Sequence, residues 1–487
     1  MKLSLALRLY SVQPLATSRG ASTANLGEPS SPRLALVGAG GKSSALFRLG
    51  RELCLSPGEG GSPVSGESLG NTVLLCATTH LASWQLHQAD HHYIFHDLED
   101  LAALETNLPA GLVLFTGPPA EAERTAGLDE LSLARLKGLA DGRRLPLLIE
   151  ADGSRQRPFK APAGHEPVIP PWVDTVVVVA GLSALGRPLS PQWVHRPERF
   201  AALSGLTAGE TLTLEELGRV LAHPQGGLKG IPAGARRVAL LNQADTAALQ
   251  GAASRLAGEL LGAYDAVLVA ALAPPVAGDG TAAASGVYAA HEPVAGIVLA
   301  GGGAERYGAP KQLLTWEGEP LVRRAASTAL VGGLSPVVVV TGAYAEDVTA
   351  ALQGLDVVLA HNPGWSAGQS TSVIAGVKAL PPQTGAALFL LADQPHVPAA
   401  LLRSLVESHT RTLAPLVAPQ AGGRRANPVL FDRLTFPDLL ALRGDVGGRA
   451  LFSRYPVAWL PWLDSSLLMD VDTEEDYRRL LASGEML

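Results

Sequence analysis

The sequence predicts an α/β protein of two domains, and three observations carry that expectation. Short apolar runs recur along the chain with helix-length segments between several of them, the pattern of buried parallel strands covered by helices on both faces. Two of these runs, at 34–37 and 296–300, feed straight into glycine-rich loops. Between the two series, residues 273–293 (A-P-P-V-A-G-D-G-T-A-A-A-S-G-V-Y-A-A-H-E-P) break the pattern and read as a linker. The expected organisation is an N-terminal helix and loop at 1–33, an α/β domain at 34–272, the linker at 273–293, and a Rossmann-like α/β domain with a mixed sheet at 294–483.

A chain of 487 residues has room for two full cores. Apolar residues make up 47%, which excludes disorder as the global state, and 53 glycines with 36 prolines imply many turns. The net charge of −7 gives no whole-surface attraction for nucleic acid or an anionic membrane, so neither is an expected partner. Two cysteines, Cys54 and Cys76, cannot build a disulfide framework or a thiolate-only metal site. The opening M-K-L-S-L-A-L-R-L-Y is broken by Arg8 and too short to span a bilayer, and reads as an amphipathic helix. A cytoplasmic location is expected.

In the first domain, Leu34–Val37 leads through Gly38-Ala39-Gly40-Gly41-Lys42-Ser43-Ser44 into a helical pattern from Ser43 to Leu55. Residues 56–70 carry no apolar period and read as a surface excursion. Further strands are expected at 72–76, 112–115, 145–149, 175–180, 237–241 and 266–270, with helices at 98–106, 128–140 and 247–261. Glycines let backbone N–H groups at Gly38, Gly40 and Gly41 turn toward an anion, and the helix N-terminus adds partial positive charge. Lys42 would reach terminal phosphates and Ser43 would ligate Mg²⁺. The full pattern G-x-x-x-x-G-K-[ST] is not met, because Leu36 stands where its first glycine belongs. An ordinary glycine turn with a solvated lysine is the alternative.

The strand at 145–149 runs into Glu150-Ala151-Asp152-Gly153-Ser154-Arg155. Carboxylates just past a sheet strand lie at the ligand crevice of an open α/β fold, so Glu150 or Asp152 is a candidate Mg²⁺ ligand, and Asp152 is taken as the metal residue. Asn242-Gln243-Ala244-Asp245 follows another strand. Asn242 and Asp245 have the amide and carboxylate that can read a guanine ring, while Asp245 as a helix cap is the competing reading. His165, Glu166 and His195 beside proline turns are site residues or satisfied core groups.

The second domain opens at 296–300, with strands expected again at 336–340, 355–359, 386–391 and 414–418 and helices at 320–331, 344–353, 370–379 and 398–408. Its loop, Leu299-Ala300-Gly301-Gly302-Gly303-Ala304-Glu305-Arg306-Tyr307-Gly308-Ala309-Pro310-Lys311, is long enough to wrap a triphosphate between Arg306 and Lys311. Two cations on one loop suit a reaction in which pyrophosphate leaves. A dinucleotide loop would open directly into a helix and carry an acid about 20 residues on. Glu317 or Glu319 can mimic that acid, but the two basic residues argue against it. Asp393 follows an apolar strand, and Asp470 and Asp472 alternate to one side of an extended segment; Asp393 with Asp472 is the expected Mg²⁺ pair. Ser370 and Thr371 in a turn running into a helix offer hydroxyls, and Asp445 and Arg449 lie in the compact turn G-D-V-G-G-R.

Two family resemblances join these pieces. V-G-A-G-G-K-S-S at 37–44, T-T-H at 78–80, I-E-A-D-G-S-R at 149–155, K-A-P-A-G-H-E-P-V-I-P at 160–170, G-L-S-A-L-G-R-P-L at 181–189, H-R-P-E at 195–198 and L-N-Q-A-D at 241–245 resemble the accessory proteins of selenium-dependent molybdenum hydroxylases. That likeness implies a P-loop-like domain binding ATP or GTP, linked to maturation of an apo molybdenum hydroxylase client. Gln243 stands where that family usually has lysine. V-L-A-G-G-G-A-E-R-Y-G-A-P-K-Q-L-L at 298–314, G-E-P-L-V at 318–322, N-P-G-W-S-A-G-Q-S-T-S-V at 362–373, A-D-Q-P-H-V at 392–397, N-P-V-L-F at 427–431, G-D-V-G-G-R at 444–449 and M-D-V-D-T-E-E-D-Y at 469–477 resemble the molybdenum cofactor cytidylyltransferases of the nucleotidyltransferase fold. This second likeness implies transfer of CMP from CTP to Mo-molybdopterin, with Arg306, Lys311 and Asp393 catalytic, the 299–311 loop on the triphosphate, and the later turns on the pterin. L-A-G-G at 299–302 departs from the L-A-A-G of cytidine-using members and is similar to guanosine-using relatives. GTP and a sugar-1-phosphate acceptor are therefore the alternatives within the enzyme class, and a non-catalytic cofactor-insertion chaperone is the alternative outside it.

Overall fold

The structure, a computed structural model, describes residues 1–9, 31–55, 72–95, 104, 107–120, 123–272, 285–303, 307 and 309–484. It divides into two compact units, and among the described residues the break falls between His291 and Glu292.

The first unit is built on nine strands: β1 (Arg33–Gly38), β2 (Thr72–Ala77), β3 (His91–Ile94), β4 (Gly111–Thr116), β5 (Leu147–Glu150), β6 (Thr175–Gly181), β7 (Arg236–Asn242), β8 (Ala266–Ala271) and β9 (Gly286–His291). Their order is β9-β8-β7-β6-β1-β5-β2-β4-β3, parallel throughout except for the antiparallel edge pair β8–β9. The central strands are apolar on both faces because helices cover both; every residue of Thr175–Gly181 is buried. Among those helices are α1 (Lys42–Cys54), α2 (Glu130–Arg143), α3 (Leu214–Ala222) and α4 (Ala247–Leu260). Asp129 caps α2 by accepting from the Ser132 N–H, and Thr246 caps α4 by accepting from the Leu249 N–H. Registers pair Leu36 with Glu150, Gly38 with Val179 and Gly181 with Asn242. The carboxyl ends of β5, β1, β6 and β7 thus form one rim, where β1 gives way to its glycine loop.

In the second unit the strands are β10 (Val294–Leu299), β11 (Val337–Thr341), β12 (Val358–His361), β13 (Ala386–Leu391), β14 (Leu416–Ala421), β15 (Arg424–Arg425), β16 (Val429–Asp432) and β17 (Val457–Trp462). The order β12-β11-β10-β13-β16-β14-β15 is mixed: the first four are parallel, β16 runs against β13 and β14, and β17 pairs parallel with β14. Helices α5 (Leu321–Val331), α6 (Gln369–Lys378) and α7 (Ala399–Thr412) cover its faces. Leu299 is in register with Leu391, so the chain leaving β10 and the chain leaving β13 emerge side by side.

The architecture is the expected pair of α/β units with a mixed second sheet. Three local expectations change. The N-terminal helix is a single turn, Leu3–Ala6, whose Leu3, Ala6 and following Leu7 are buried in the first unit. The segment 273–293 is not all linker, because Gly286–His291 completes the first sheet. Strand 355–359 is displaced to Val358–His361, an exposed edge where alternation with buried positions is lost. The strand His91–Ile94 was not expected at all: its polar start suits a sheet edge and hides the apolar signal. The helix expected at 98–106 and the excursion at 56–70 lie outside the described residues, Leu104 excepted.

Candidate functional site

Each unit has a cleft at the carboxyl end of its parallel strands, where a ligand crevice belongs in an open α/β sheet. In the second unit the cleft has a volume of about 550 Å³, and Leu299, Ala300, Gly301, Gly302 and Gly303 form one wall. Lys311, Asp393 and Asp445 line it as well. The loop is held open by Gln312, buried beneath it, whose amide donates toward the carbonyls of Ala300 (3.4 Å) and Gly302 (3.3 Å). At Gly303 an added Cβ would stand 2.5 Å from the Trp365 ring, which explains glycine there.

Lys311 lies between two acids: its Nζ donates to Asp393 at 3.2 Å and to Asp472 at 2.6 Å. Burial lowers the affinity of the ammonium for its proton, but the two carboxylates outweigh that and hold it above the ordinary lysine value. The Val471 N–H donates to the Asp393 carbonyl at 3.1 Å, a backbone tie that brings the 470–472 segment to the end of β13. Asp470 accepts instead from the Gln394 amide at 2.5 Å, and burial pushes its carboxyl up. Among the described residues no three Asp, Glu, His or Cys converge on a metal position. Any divalent ion here would have two carboxylates and depend on substrate oxygens for the rest.

Other expected residues are sorted by the fold. Arg306 lies outside the described residues. Ser370 is buried and does not line the cleft, and the Thr371 hydroxyl is spent on the turn, with its one proton in reach of the carbonyl oxygens of Gly364 (3.1 Å) and Gly368 (2.9 Å). The neighbouring Ser366, Gln369 and Ser372 line the cleft in their place. Helical geometry makes the substitution: a helix starting at Gln369 carries Ser370 and Thr371 round to its packed side. Asp445 accepts from the Gln369 N–H at 3.2 Å and stays in the cleft wall. Arg449 lines an adjoining pocket of about 240 Å³ that shares Leu299, Gln369 and Leu391 with the first and also contains Arg425 and Asn427.

The first unit's cleft is larger, about 860 Å³, and Gly40, Gly41, Lys42, Ser43, Glu150, His165, Glu166, His195, Arg196 and Gln243 are among its lining residues. Its loop differs from expectation. The N–H groups of Gly38, Ala39 and Gly40 are spent on Asp152 (3.0 Å), the Val179 carbonyl (2.8 Å) and the Arg157 carbonyl (3.1 Å). Gly40 has φ +80° and an added Cβ there would stand 2.2 Å from the Gly181 nitrogen, so the loop is locked to the sheet. The N–H groups open to an anion are those of the first turn of α1, at Lys42–Ser44, which have no intrahelical acceptor.

Asp152 is not placed to bind a metal. It is 2% exposed and accepts from Gly38 and from Lys160 at 2.7 Å, with the Lys42 ammonium at 3.2 Å. Glu150 is the carboxylate that faces the cleft: it lines it, accepts from the Ser43 hydroxyl at 3.0 Å, and has its carboxyl raised by burial against the pull of Lys42. Ser43 is also bonded by the Gln85 amide. Asn242 does not read a base; its amide donates to the Gly40 carbonyl at 2.8 Å and its oxygen accepts from Leu272 at 3.1 Å, both deep in the fold. Asp245 is exposed and outside the cleft lining. Gln243 does face the cleft, accepting from the Ser183 hydroxyl at 2.6 Å.

Beyond the loop the ion pairs continue: Lys160 to Glu166 at 2.8 Å, and Glu166 to Arg196 by a two-pronged bond at 2.8 and 3.0 Å. Burial would raise the Glu166 carboxyl, but Arg196 and Lys160 bring it down to about 2. Burial, with Arg196 and Lys160 beside it, lowers His195 to about 4, so its imidazole is neutral at pH 7. Lys160 and Arg196 went unremarked in the sequence as charged partners, since nothing local signals that both converge on Glu166, with Arg196 30 residues beyond it.

No helix of the described residues is long and apolar enough to cross a membrane. Residues 34–198 match the YqeC protein family, and residues 296–458 match the MobA-like NTP transferase domain. YqeC of Escherichia coli (strain K12) is 47% identical over 97 residues, 20% of this chain; the chain spans 38% of that relative's length. Nicotine blue oxidoreductase of Paenarthrobacter nicotinovorans is 36% identical over 202 residues, covering 39% of this chain and 96% of that protein. Among solved structures, Rv0371c of Mycobacterium tuberculosis H37Rv is 30% identical, with 39% of this chain and 98% of that one covered and a TM-score of 0.35. Through its second unit, whose sheet and glycine loop coincide with the matched residues, the chain belongs to the MobA-like NTP transferase family of the nucleotidyltransferase superfamily.

Proposed function

We propose that the second unit transfers a nucleotidyl group from a nucleoside triphosphate to a phosphate-bearing acceptor, with release of pyrophosphate. The observation that carries this is the meeting of Lys311 with Asp393 and Asp472 beside the open loop 299–303. An oxygen of the acceptor phosphate bonds to the α-phosphorus as the bond from that phosphorus to the α–β bridging oxygen breaks. No protein nucleophile or base is required, because the acceptor phosphate is already anionic. The protein's task is to hold two mutually repelling anions in line and to offset the charge that builds on the departing pyrophosphate. Lys311, with Arg306, serves that end, while Gln312 keeps the loop's carbonyls turned away from the phosphates.

Asp393 and Asp472 already converge on one cation, the Lys311 ammonium, so the pair suits Mg²⁺, which binds through one or two carboxylates and substrate phosphates. Held there, Mg²⁺ would supply further neutralisation of the transferring phosphate.

Within this class, transfer of CMP from CTP to Mo-molybdopterin is the narrower reading, supported by the strings at 362–373 and 444–449 and by the adjoining pocket with Arg449 as the acceptor's place. Guanylyl transfer or transfer to a sugar 1-phosphate has the wider support, since the matched family is defined by NTP transfer in general. Gly301 bears on the choice: an added Cβ would stand 3.1 Å from the Ser372 hydroxyl in the cleft wall. The first unit is then a nucleotide-binding partner domain serving an apo molybdenum hydroxylase. Purified protein with Mg²⁺, CTP or GTP, and either molybdopterin or a sugar 1-phosphate should yield pyrophosphate and one nucleotidylated product, and Asp393→Asn should abolish it. No product from any pairing ends this reading. Similarity to nicotine blue oxidoreductase supplies a second one; redox turnover of nicotine blue without pyrophosphate release would put it first.

A further inference from the structure

In the first unit, three cations and three carboxylates form one continuous chain of ion pairs: Glu150 and Asp152 on Lys42 (3.9 and 3.2 Å), Asp152 on Lys160 (2.7 Å), Glu166 on Lys160 and on Arg196 (both 2.8 Å). Their formal charges cancel. A loop whose lysine is already neutralised by its own acids has little attraction for a bare triphosphate, which carries about four negative charges at the separations where Coulomb energies in a protein reach several kcal/mol. The Lys42 ammonium is also held by the Gly38 carbonyl at 2.7 Å and is 3% exposed. What the cleft does offer is a buried carboxylate, Glu150, hydrogen-bonded to Ser43 directly beneath the free N–H groups of α1. Two such oxygen donors are too few to hold a magnesium ion alone, yet they match the share that a protein contributes when the phosphates bring the rest.

We propose that the first unit is a magnesium-obligate nucleoside triphosphate site, in which Ser43 and Glu150 hold the metal and Asp152 is a built-in counter-ion that parks Lys42. The inference rests on reading this unit as nucleotide-binding and assigns its metal residues and its charge logic. Metal and nucleotide enter together, since the metal's two charges offset the carboxylates that hold Lys42 and let the loop accept a triphosphate. The base is not specified by Asn242, which is committed to the loop, so the ligand class is set by its phosphates.

The test is hydrogen exchange on the full chain, read at the amides of Lys42–Ser44, with ATP, GTP or CTP and with or without Mg²⁺. Protection is expected only when both are present. Glu150→Gln and Ser43→Ala should each shift the protecting nucleotide concentration up by about 10- to 100-fold. Asp152→Asn should do the opposite, letting nucleotide protect the loop without Mg²⁺, which it does not do in the parent. Because that variant strands two lysines and can unfold, the paired change Asp152→Asn with Lys160→Met keeps the charges balanced and should retain the requirement for Mg²⁺. Protection by nucleotide without Mg²⁺ in the parent chain, no protection with any nucleotide, or Asp152→Asn weakening binding as Glu150→Gln does would each overturn the proposal. Pyrophosphate release in the same samples separates the two units: its loss with loop protection intact counts against the second unit's reading alone.

Discussion

The two glycine loops leave their sheets in the same way and are then put to different use. In the first unit, the loop turns its N–H groups inward to Asp152 and to neighbouring strands, and its lysine is buried between acids at 3% exposure. In the second, nothing lies within 4 Å of a Cβ added at Gly302, and the lysine comes 8 residues after Gly303, 19% exposed, between acids from two other segments. A run of glycines after a strand therefore fixes where a phosphate-sized loop sits. Its chemistry is set by the carboxylates that the neighbouring strands deliver to it.

The largest expected effect sharpens this contrast. Lys311→Ala leaves Asp393 and Asp472 facing each other without a cation, and transfer should fall about 10²–10³-fold in kcat; a loss below tenfold would mean that the second cleft does not depend on its lysine. Next, Gly40→Ala should cost the first unit about 1–3 kcal/mol or more, because φ +80° and the Gly181 backbone both oppose a side chain. Thermal melting of that variant should drop, while Gly302→Ala should melt like the parent.

A third prediction concerns pH. Glu166 is held at about 2 against 4.5 in the unfolded chain, so the unfolded state binds the extra proton between those values. Its contribution to stability is complete above about pH 4.5 and is lost as pH falls toward 2. The stability difference between the parent and Glu166→Gln should be flat at neutral pH and shrink across that window; a difference that stays constant down to pH 2 would deny the ion pair its role. The smallest effect is at the cleft wall: Ser372→Ala should raise the nucleotide KM about 3- to 10-fold, the worth of one hydrogen bond, and Thr371→Val should not.

Much of the fold was readable in the chain because buried parallel strands announce themselves as unbroken apolar runs, as at Val176–Val179 and Ala386–Leu391. Edge strands escaped, His91–Ile94 and Gly286–His291 among them, since histidine, tyrosine and glycine dilute their apolar signal. At the sites, residues on the loops that leave strands were legible: Lys42, Ser43, Lys311 and Asp393 all line clefts. Choices between near neighbours were not. Glu150 against Asp152, and Ser372 against Ser370, turn on which way a side chain faces at a strand end or a first helical turn. Lys160, nine-tenths and more buried, sits between Asp152 and Glu166, near in sequence but brought together by loop segments that no helix or strand period reveals.

The strand Gly286–His291 has a practical consequence for anyone who wishes to study the halves separately. The glycine- and proline-bearing stretch before it is the tempting place to divide the gene, but a cut there would hand this strand to the wrong fragment. Ala266–Ala271 would then present a bare row of amides and carbonyls, an invitation to pair with any passing chain. Dividing after His291 keeps that border sealed.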